Sequence, residues 1–154
     1  MEVVAYRDIP AGEELSISYT PLNMVTEDRR QVLRRWNFDC ACSLCSSPAR
    51  SQVSDRNRRR IQEILAAMDE PDNREYESLL SLTDEMMEIV EAEGLRAQVG
   101  DFFSILAHAY NETGFLGTAR RFAAQSVEKY REFVGVDSQQ VKTATEFLES
   151  LPQK

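Results

Sequence analysis

From residue 56 onward, apolar positions recur three and four apart, the spacing that lines one face of a helix. Ile61, Ile64, Leu65 and Met68 make a first run that Pro71 stops. Tyr76, Leu79, Leu80, Met86, Met87 and Val90 make a second, ending at Glu93-Gly94-Leu95 with Gly94 in the left-handed position of a helix C-terminus. Phe102, Phe103, Leu106, Ala109 and Tyr110 predict a third helix that ends near Gly114. Phe115, Ala119, Phe122, Ala123 and Val127 predict a fourth that ends near Gly135. Asp137 is placed to cap a fifth, which carries Val141, Ala144, Phe147, Leu148 and Leu151 ahead of Pro152.

Before residue 56 the period changes. β-Branched and aromatic residues at 2–7 and 15–19 (Val3, Val4, Tyr6; Ile17, Tyr19), on either side of Pro10-Ala11-Gly12, predict strand, turn, strand. Such a hairpin alone is marginal in water. Thr26 is placed to cap a helix with Glu27 and Asp28 in its first turn and Arg29, Arg30, Arg34 and Arg35 later, which suits the helix dipole at both ends. Val32, Leu33 and Trp36 supply its apolar side, and Ser46 to Ser51 form a polar connection. Three parts result: 1–25, 26–50 and a helical 51–154. Within the last, the third and fourth helices have about the size of a tetratricopeptide repeat. Leu106, Ala107, Tyr110, Gly114 and Ala119 sit where that repeat wants small or apolar residues, whereas Ala123 and Ser126 depart from it. An ordinary helical bundle fits the same residues equally well.

Charge divides the chain. Its 154 residues carry a formal net charge of -8, yet residues 1–60 hold ten Arg against eight Asp plus Glu, so the remainder carries a balance of -10. An acidic C-terminal region argues against direct nucleic-acid binding, which needs a basic footprint. It suits a basic protein partner, or is simply a solvated helical surface. No apolar run approaches the roughly 18 residues needed to cross a bilayer, and the N-terminus lacks a secretory pattern. The expected address is intracellular, nucleus or cytoplasm.

All three cysteines, Cys40, Cys42 and Cys45, fall in one C-x-C-x-x-C cluster behind Trp36-Asn37-Phe38-Asp39. Three thiolates so close are a metal claw, best suited to zinc in a reducing compartment. A closed zinc site wants four ligands, so one is missing. His108 lies among apolar neighbours on a helix and is expected to be structural, and Met86 and Met87 to fill core gaps.

Arg7-Asp8-Ile9-Pro10-Ala11-Gly12-Glu13-Glu14-Leu15-Ser16-Ile17-Ser18-Tyr19 resembles the last strands of a SET-domain protein-lysine methyltransferase, and the cysteine cluster resembles its post-SET zinc motif. Order and spacing are similar to the SET and MYND domain-containing branch, in which an Arg-rich helix separates the Tyr from the cysteines and a tetratricopeptide-like domain follows. The resemblance implies a mainly α fold: a short N-terminal β hairpin at the end of a SET domain, a post-SET Cys turn, then an antiparallel helical bundle. It implies that Tyr19 is catalytic, aligning a lysine amine with the methyl group of S-adenosylmethionine. It further implies that Phe38 stacks on that cofactor's adenine, that Trp36 lines the channel for the target lysine, and that Cys40, Cys42 and Cys45 bind zinc. The partner implied is a protein substrate, histone or otherwise, with no nucleic acid and no membrane.

No Asn-His-Ser-Cys segment, glycine-rich cofactor strand or MYND cluster occurs, so the resemblance covers only the C-terminal part of such an enzyme. The chain alone is therefore expected to bind neither S-adenosylmethionine nor a complete zinc site. Two other readings stay open: a non-catalytic helical module that binds a basic peptide, and a small zinc-stabilised adaptor.

Overall fold

The computed structural model describes residues 4–15 and 17–152. Among these, the α-helices are α1 (Thr26–Arg34), α2 (Pro48–Asp69), α3 (Tyr76–Ala92), α4 (Val99–Glu112), α5 (Leu116–Phe133) and α6 (Gln139–Ser150), with 3-10 turns at Pro71–Asn73 and Arg96–Gln98. The five helical runs expected after residue 56 are all present. α2, however, starts well ahead of that point. Pro48 is preset for a first helical turn, and the Ser47 hydroxyl accepts the Arg50 N–H at 3.5 Å. The polar connection expected over 46–51 is thus partly helix.

Two helix ends follow the sequence closely. Gly94 and Gly114 adopt φ +65° and +84°. In each turn the glycine N–H returns to the carbonyl three residues back, Glu91 or Asn111, and the next N–H reaches Val90 or Tyr110 at 3.0 and 2.9 Å. A left-handed residue lets both bonds close at once. α6 is capped one residue later than expected, by the Ser138 hydroxyl, which accepts the Val141 N–H at 3.2 Å.

α2 packs on α3, α4 on α5, and α5 on α6. One apolar core runs from Ile61 and Ile64 through Leu79, Met86, Leu106 and Tyr110 to Phe122, and a smaller one joins Val127, Tyr130, Val141 and Ala144. Met86 is fully buried, and Met87 is half-buried against the same core. Leu148 packs against both cores, and α4 meets α5 tightly beside the smaller one: a Cβ at Gly100 would lie 3.0 Å from Tyr130 Cδ1. Leu22 packs against the larger core and tethers the N-terminal segment to it.

The β hairpin expected over 2–7 and 15–19 is absent among the described residues; residues 2, 3 and 16 lie outside them. Its turn nevertheless forms. The Glu13 N–H donates to Pro10 O at 3.1 Å, Gly12 takes φ +85°, and Arg7 pairs with Glu13. No ladder follows, because Leu15, Ile17 and Tyr19 stay exposed. Two strands that bury nothing do not repay the entropy of ordering them.

Candidate metal centre and its aromatic neighbours

α1 ends in a reversal that sets the aromatic residues. Asn37 adopts φ +50°, its N–H donates to Arg34 O at 3.1 Å, and the Phe38 N–H returns to Leu33 O at 3.3 Å. This is the glycine-type helix stop with Asn in the left-handed position, which Asn tolerates. The reversal carries Phe38 toward Tyr19, with ring centroids 6.4 Å apart and planes inclined by 48°. Tyr19 itself is 66% exposed. Trp36, expected on the apolar side of α1, is 72% exposed and stacks on no other ring among the described residues. Of the three aromatic candidates, then, Tyr19 and Phe38 come together and Trp36 stands apart.

The three cysteine ligand atoms lie within 4.8 Å of one another, with Cys45 buried, Cys40 half-buried and Cys42 exposed. Tetrahedral zinc with bonds of about 2.3 Å separates its sulfurs by roughly 3.8 Å, so a small contraction suffices. The loop is prebent for it. The Cys45 N–H donates to Cys42 Sγ at 3.5 Å, and the Ser46 N–H and hydroxyl both donate to Cys42 O, at 3.0 and 2.8 Å. Burial pushes the Cys42 thiol up, but the Cys45 N–H, the neighbouring Cys40 thiol and the Leu44 N–H outweigh it and bring it down to about 7. Cys40 moves the other way: its bond from the Cys42 backbone lowers it, but burial and its hydrogen bonds to Cys42 and Cys45 raise it overall. A soft donor set with one sulfur near neutrality fits zinc, which needs thiolates. Bound zinc would hold this loop in place without redox chemistry. His108, exposed on α4, stacks on Phe147 at 3.9 Å between centroids.

A buried polar network bolts the loop to the bundle. The side face of α1 that packs inward is Thr26, Arg29 and Leu33. Arg29 Nη1 donates to Met24 O, and Arg29 Nη2 lies 3.0 Å from Thr26 Oγ1 and 3.9 Å from Cys45 Sγ. Arg58, on α2, donates to the same Met24 carbonyl at 3.2 Å and pairs with Glu93 at 3.3 Å. Burial, then the nearby Arg29, draw the Arg58 guanidinium below its ordinary value, and Glu93 opposes them. Glu93 also accepts from Ser54 and, at 2.8 Å, from Asn57.

In the sequence Arg29 is assigned only to the helix dipole, and Arg58 has no assigned role. The spacing of 26, 29 and 33 was the available signal, since it puts Arg29 on the face of Leu33. The same holds for Ser51, Ser54 and Arg58, which continue the Ile61 face of α2 backward in polar residues.

Parts of the chain are similar to known proteins. The chain is 34% identical over 74 residues to histone-lysine N-methyltransferase SET5 of Meyerozyma guilliermondii, 47% of this chain and 14% of that protein. It is 37% identical over 62 residues to the set5 of Schizosaccharomyces pombe, 38% and 19% of the two chains. It is 46% identical over 44 residues to histone-lysine N-methyltransferase SMYD3 of Homo sapiens, 28% and 10%. The matched part is thus under a fifth of the length of each of these curated relatives. No family model and no solved structure matches the chain. The resemblance to the C-terminal part of SET-type histone-lysine methyltransferases is supported by these homologues, and the Cys cluster fits a zinc motif.

Proposed function

We propose that this chain is the C-terminal portion of an intracellular protein-lysine N-methyltransferase that transfers methyl from S-adenosylmethionine to a lysine side chain. The observations that carry the reading are the approach of Tyr19 to Phe38 and, two residues further along the chain, the start of three convergent cysteine sulfurs. In the complete enzyme Tyr19 orients the amine for in-line attack, Phe38 stacks on the cofactor's adenine, and Trp36 lines the lysine channel. An attacking amine must be neutral, so that channel has to exclude water and lower the lysine pKa. Cys40, Cys42 and Cys45 hold zinc, which fixes Phe38 close by. The tetratricopeptide-like pair α4 and α5 shapes the substrate cleft, and the division into 1–25, 26–50 and 51–154 follows these roles.

The exposure of Tyr19 supports a further point: these 154 residues alone bind no S-adenosylmethionine and transfer no methyl group. Isothermal titration of the isolated chain should show no cofactor binding. Supplying an N-terminal SET segment from a relative should restore labelled methyl transfer to a lysine peptide, and Tyr19→Phe should abolish the transfer while leaving cofactor affinity intact. Tight cofactor binding by the chain alone, or full turnover by the Tyr19→Phe assembly, refutes the assignment.

A second reading, a helical module that binds a basic peptide, has one specific observation in its favour. A groove of about 650 Å³ has Met87, Val99 and Phe133 in its wall, Asp84, Glu88 and Glu91 along its α3 side, and Arg96, Lys129 and Glu132 elsewhere in its lining. Carboxylates outnumber cations around the apolar wall, which suits a basic segment. This reading predicts peptide binding by the chain as it stands, with no upstream segment.

A further inference from the structure

Cys45 is the buried member of the cysteine cluster, 7% exposed, and a thiolate there has lost most of its water. Three thiolates around a divalent ion leave one negative charge uncompensated. Burying that charge is costly unless a cation or donor faces it. The cation within reach is Arg29, itself only 8% exposed, whose Nη2 lies 3.9 Å from Cys45 Sγ.

Arg29 is not free to swing. Met24 O holds its Nη1 and Thr26 Oγ1 holds its Nη2, while Asp55 fixes Thr26 in turn. Arg58 reaches the same Met24 carbonyl, so two buried guanidiniums converge there, balanced by Asp55 and Glu93. What the cluster adds, when it holds a metal, is the negative charge that Arg29 faces. Arg30 acts separately, through the Cys45 carbonyl at 3.4 Å.

We propose that Arg29 is a positioning residue of the zinc cluster: its guanidinium donates to the Cys45 sulfur, offsets the charge of the thiolate–metal unit, and ties that ligand to the helical bundle. The proposal rests on the three-cysteine metal reading above. Outer-sphere partners of this kind usually alter metal affinity by 10- to 100-fold when removed.

The test uses the full chain loaded with Co(II), whose sulfur-to-metal charge-transfer band reports the ligand sulfur directly. Arg29→Met should weaken Co(II) and Zn(II) binding about tenfold and shift that band. Thr26→Val removes one anchor of Arg29 but keeps the guanidinium and its donors, and should weaken binding and shift the band far less than Arg29→Met. An unshifted band with unchanged affinity in Arg29→Met overturns the proposal, as does an equal loss in Thr26→Val, which would make Arg29 a mere staple of α1. If Arg29→Met does not fold, Arg29→Lys carries the test: an ammonium cannot serve Met24, Thr26 and Cys45 together, so the band must still shift, and an unshifted band overturns the proposal. Failure of the wild-type chain to bind Co(II) at all would sink the metal reading itself, a result distinct from binding that ignores Arg29.

Discussion

Asp55 caps a helix to which it does not belong: its Oδ1 accepts the Thr26 N–H at 2.7 Å and the Thr26 hydroxyl at 2.9 Å. Val25, at the position before α1, offers no side-chain acceptor, so a carboxylate on α2 takes the role that sequence reasoning gave to Thr26. A local start signal has been replaced by a tertiary one. The exchange makes α1, and the cysteine loop behind it, dependent on docking against α2.

Asp55→Ala should accordingly behave as a cap deletion and cost about 1–2 kcal/mol. Asp55→Asn, which keeps an acceptor, should lose less. Urea unfolding measures both, and hydrogen exchange should show the loss of protection concentrated in α1. A cost spread evenly over α4 to α6 would contradict the capping role.

Glu93 is the larger vulnerability. Arg58 and Glu93 are both nearly sealed from solvent, so Glu93→Ala leaves a buried guanidinium facing Arg29 with its nearest carboxylate gone. The expected loss is about 3 kcal/mol. Replacing both partners, as Arg58→Met with Glu93→Leu, should recover most of it, since apolar groups of similar volume leave no charge unpaired. A double variant as unstable as Glu93→Ala would show that the ion pair itself, rather than the orphaned charge, sets the cost.

The helices and the metal cluster were legible in the sequence because each obeys a local rule. Apolar residues three and four apart fixed α2 to α6, Gly94, Gly114 and Gly135 marked three of the stops, and the spacing of Cys40, Cys42 and Cys45 keeps their sulfurs together. What escaped depends on partners distant in sequence. Arg29 and Arg58 are polar residues whose spacing puts them on the inward faces of Leu33 and Ile61, but nothing local supplies the partners, Glu93 and Asp55, that make their burial tolerable. Trp36, expected on the apolar side of α1, falls in the turn beyond the helix end and stays exposed. The hairpin over 2–7 and 15–19 had the right residues but no third strand among those described, and its turn formed without its ladder.

At Gly100 the helix-propensity rule should fail in sign. Alanine in a helix usually gains about 1 kcal/mol over glycine. Here the new Cβ would meet the Tyr130 ring at 3.0 Å. That ring is buried and pinned by its hydroxyl, which donates to Asp101 at 2.8 Å, so it has little room to yield. Gly100→Ala should lower the unfolding free energy by about 1–2 kcal/mol. Pairing it with Tyr130→Ala, which opens the space, should turn the glycine substitution neutral or favourable.

Tyr130 also gives the chain an alkaline limb. Burial first, then the hydrogen bond and charge of Asp101, push its phenol up to about 12. An unfolded tyrosine ionises near pH 10, roughly, so above that pH the unfolded chain gives up a proton that the folded chain keeps. The contribution is whole below pH 10 and is lost as pH rises toward 12, an amount on the order of 2 kcal/mol. Tyr130→Phe cannot titrate. Near neutrality it should be less stable than the wild type by about 1 kcal/mol for the lost hydrogen bond, and the gap should close or invert by pH 12. Parallel stability profiles across the whole range would rule the shift out.

Removing metal should loosen one end of the molecule and spare the other. A chain holding zinc on its three cysteines and treated with a strong chelator is expected to lose order chiefly between Phe38 and Cys42, because side chains of Arg30, Arg50 and Ser51 still hold the stretch from Ser43 to Cys45. The bundle core from Ile61 to Phe122 owes nothing to the cysteines and should keep its helicity. Cys45→Ser should mimic the chelator more fully than Cys42→Ser, since the buried sulfur has the Arg29 contact and the exposed one does not. Zinc binding should also release protons as the thiols ionise, fewer near pH 8 than near pH 6, because Cys42, at about 7, is already mostly thiolate at the higher pH. Isothermal titration in buffers of different ionisation enthalpy counts those protons. A count that does not change across this range would mean that Cys42 is not among the ligands.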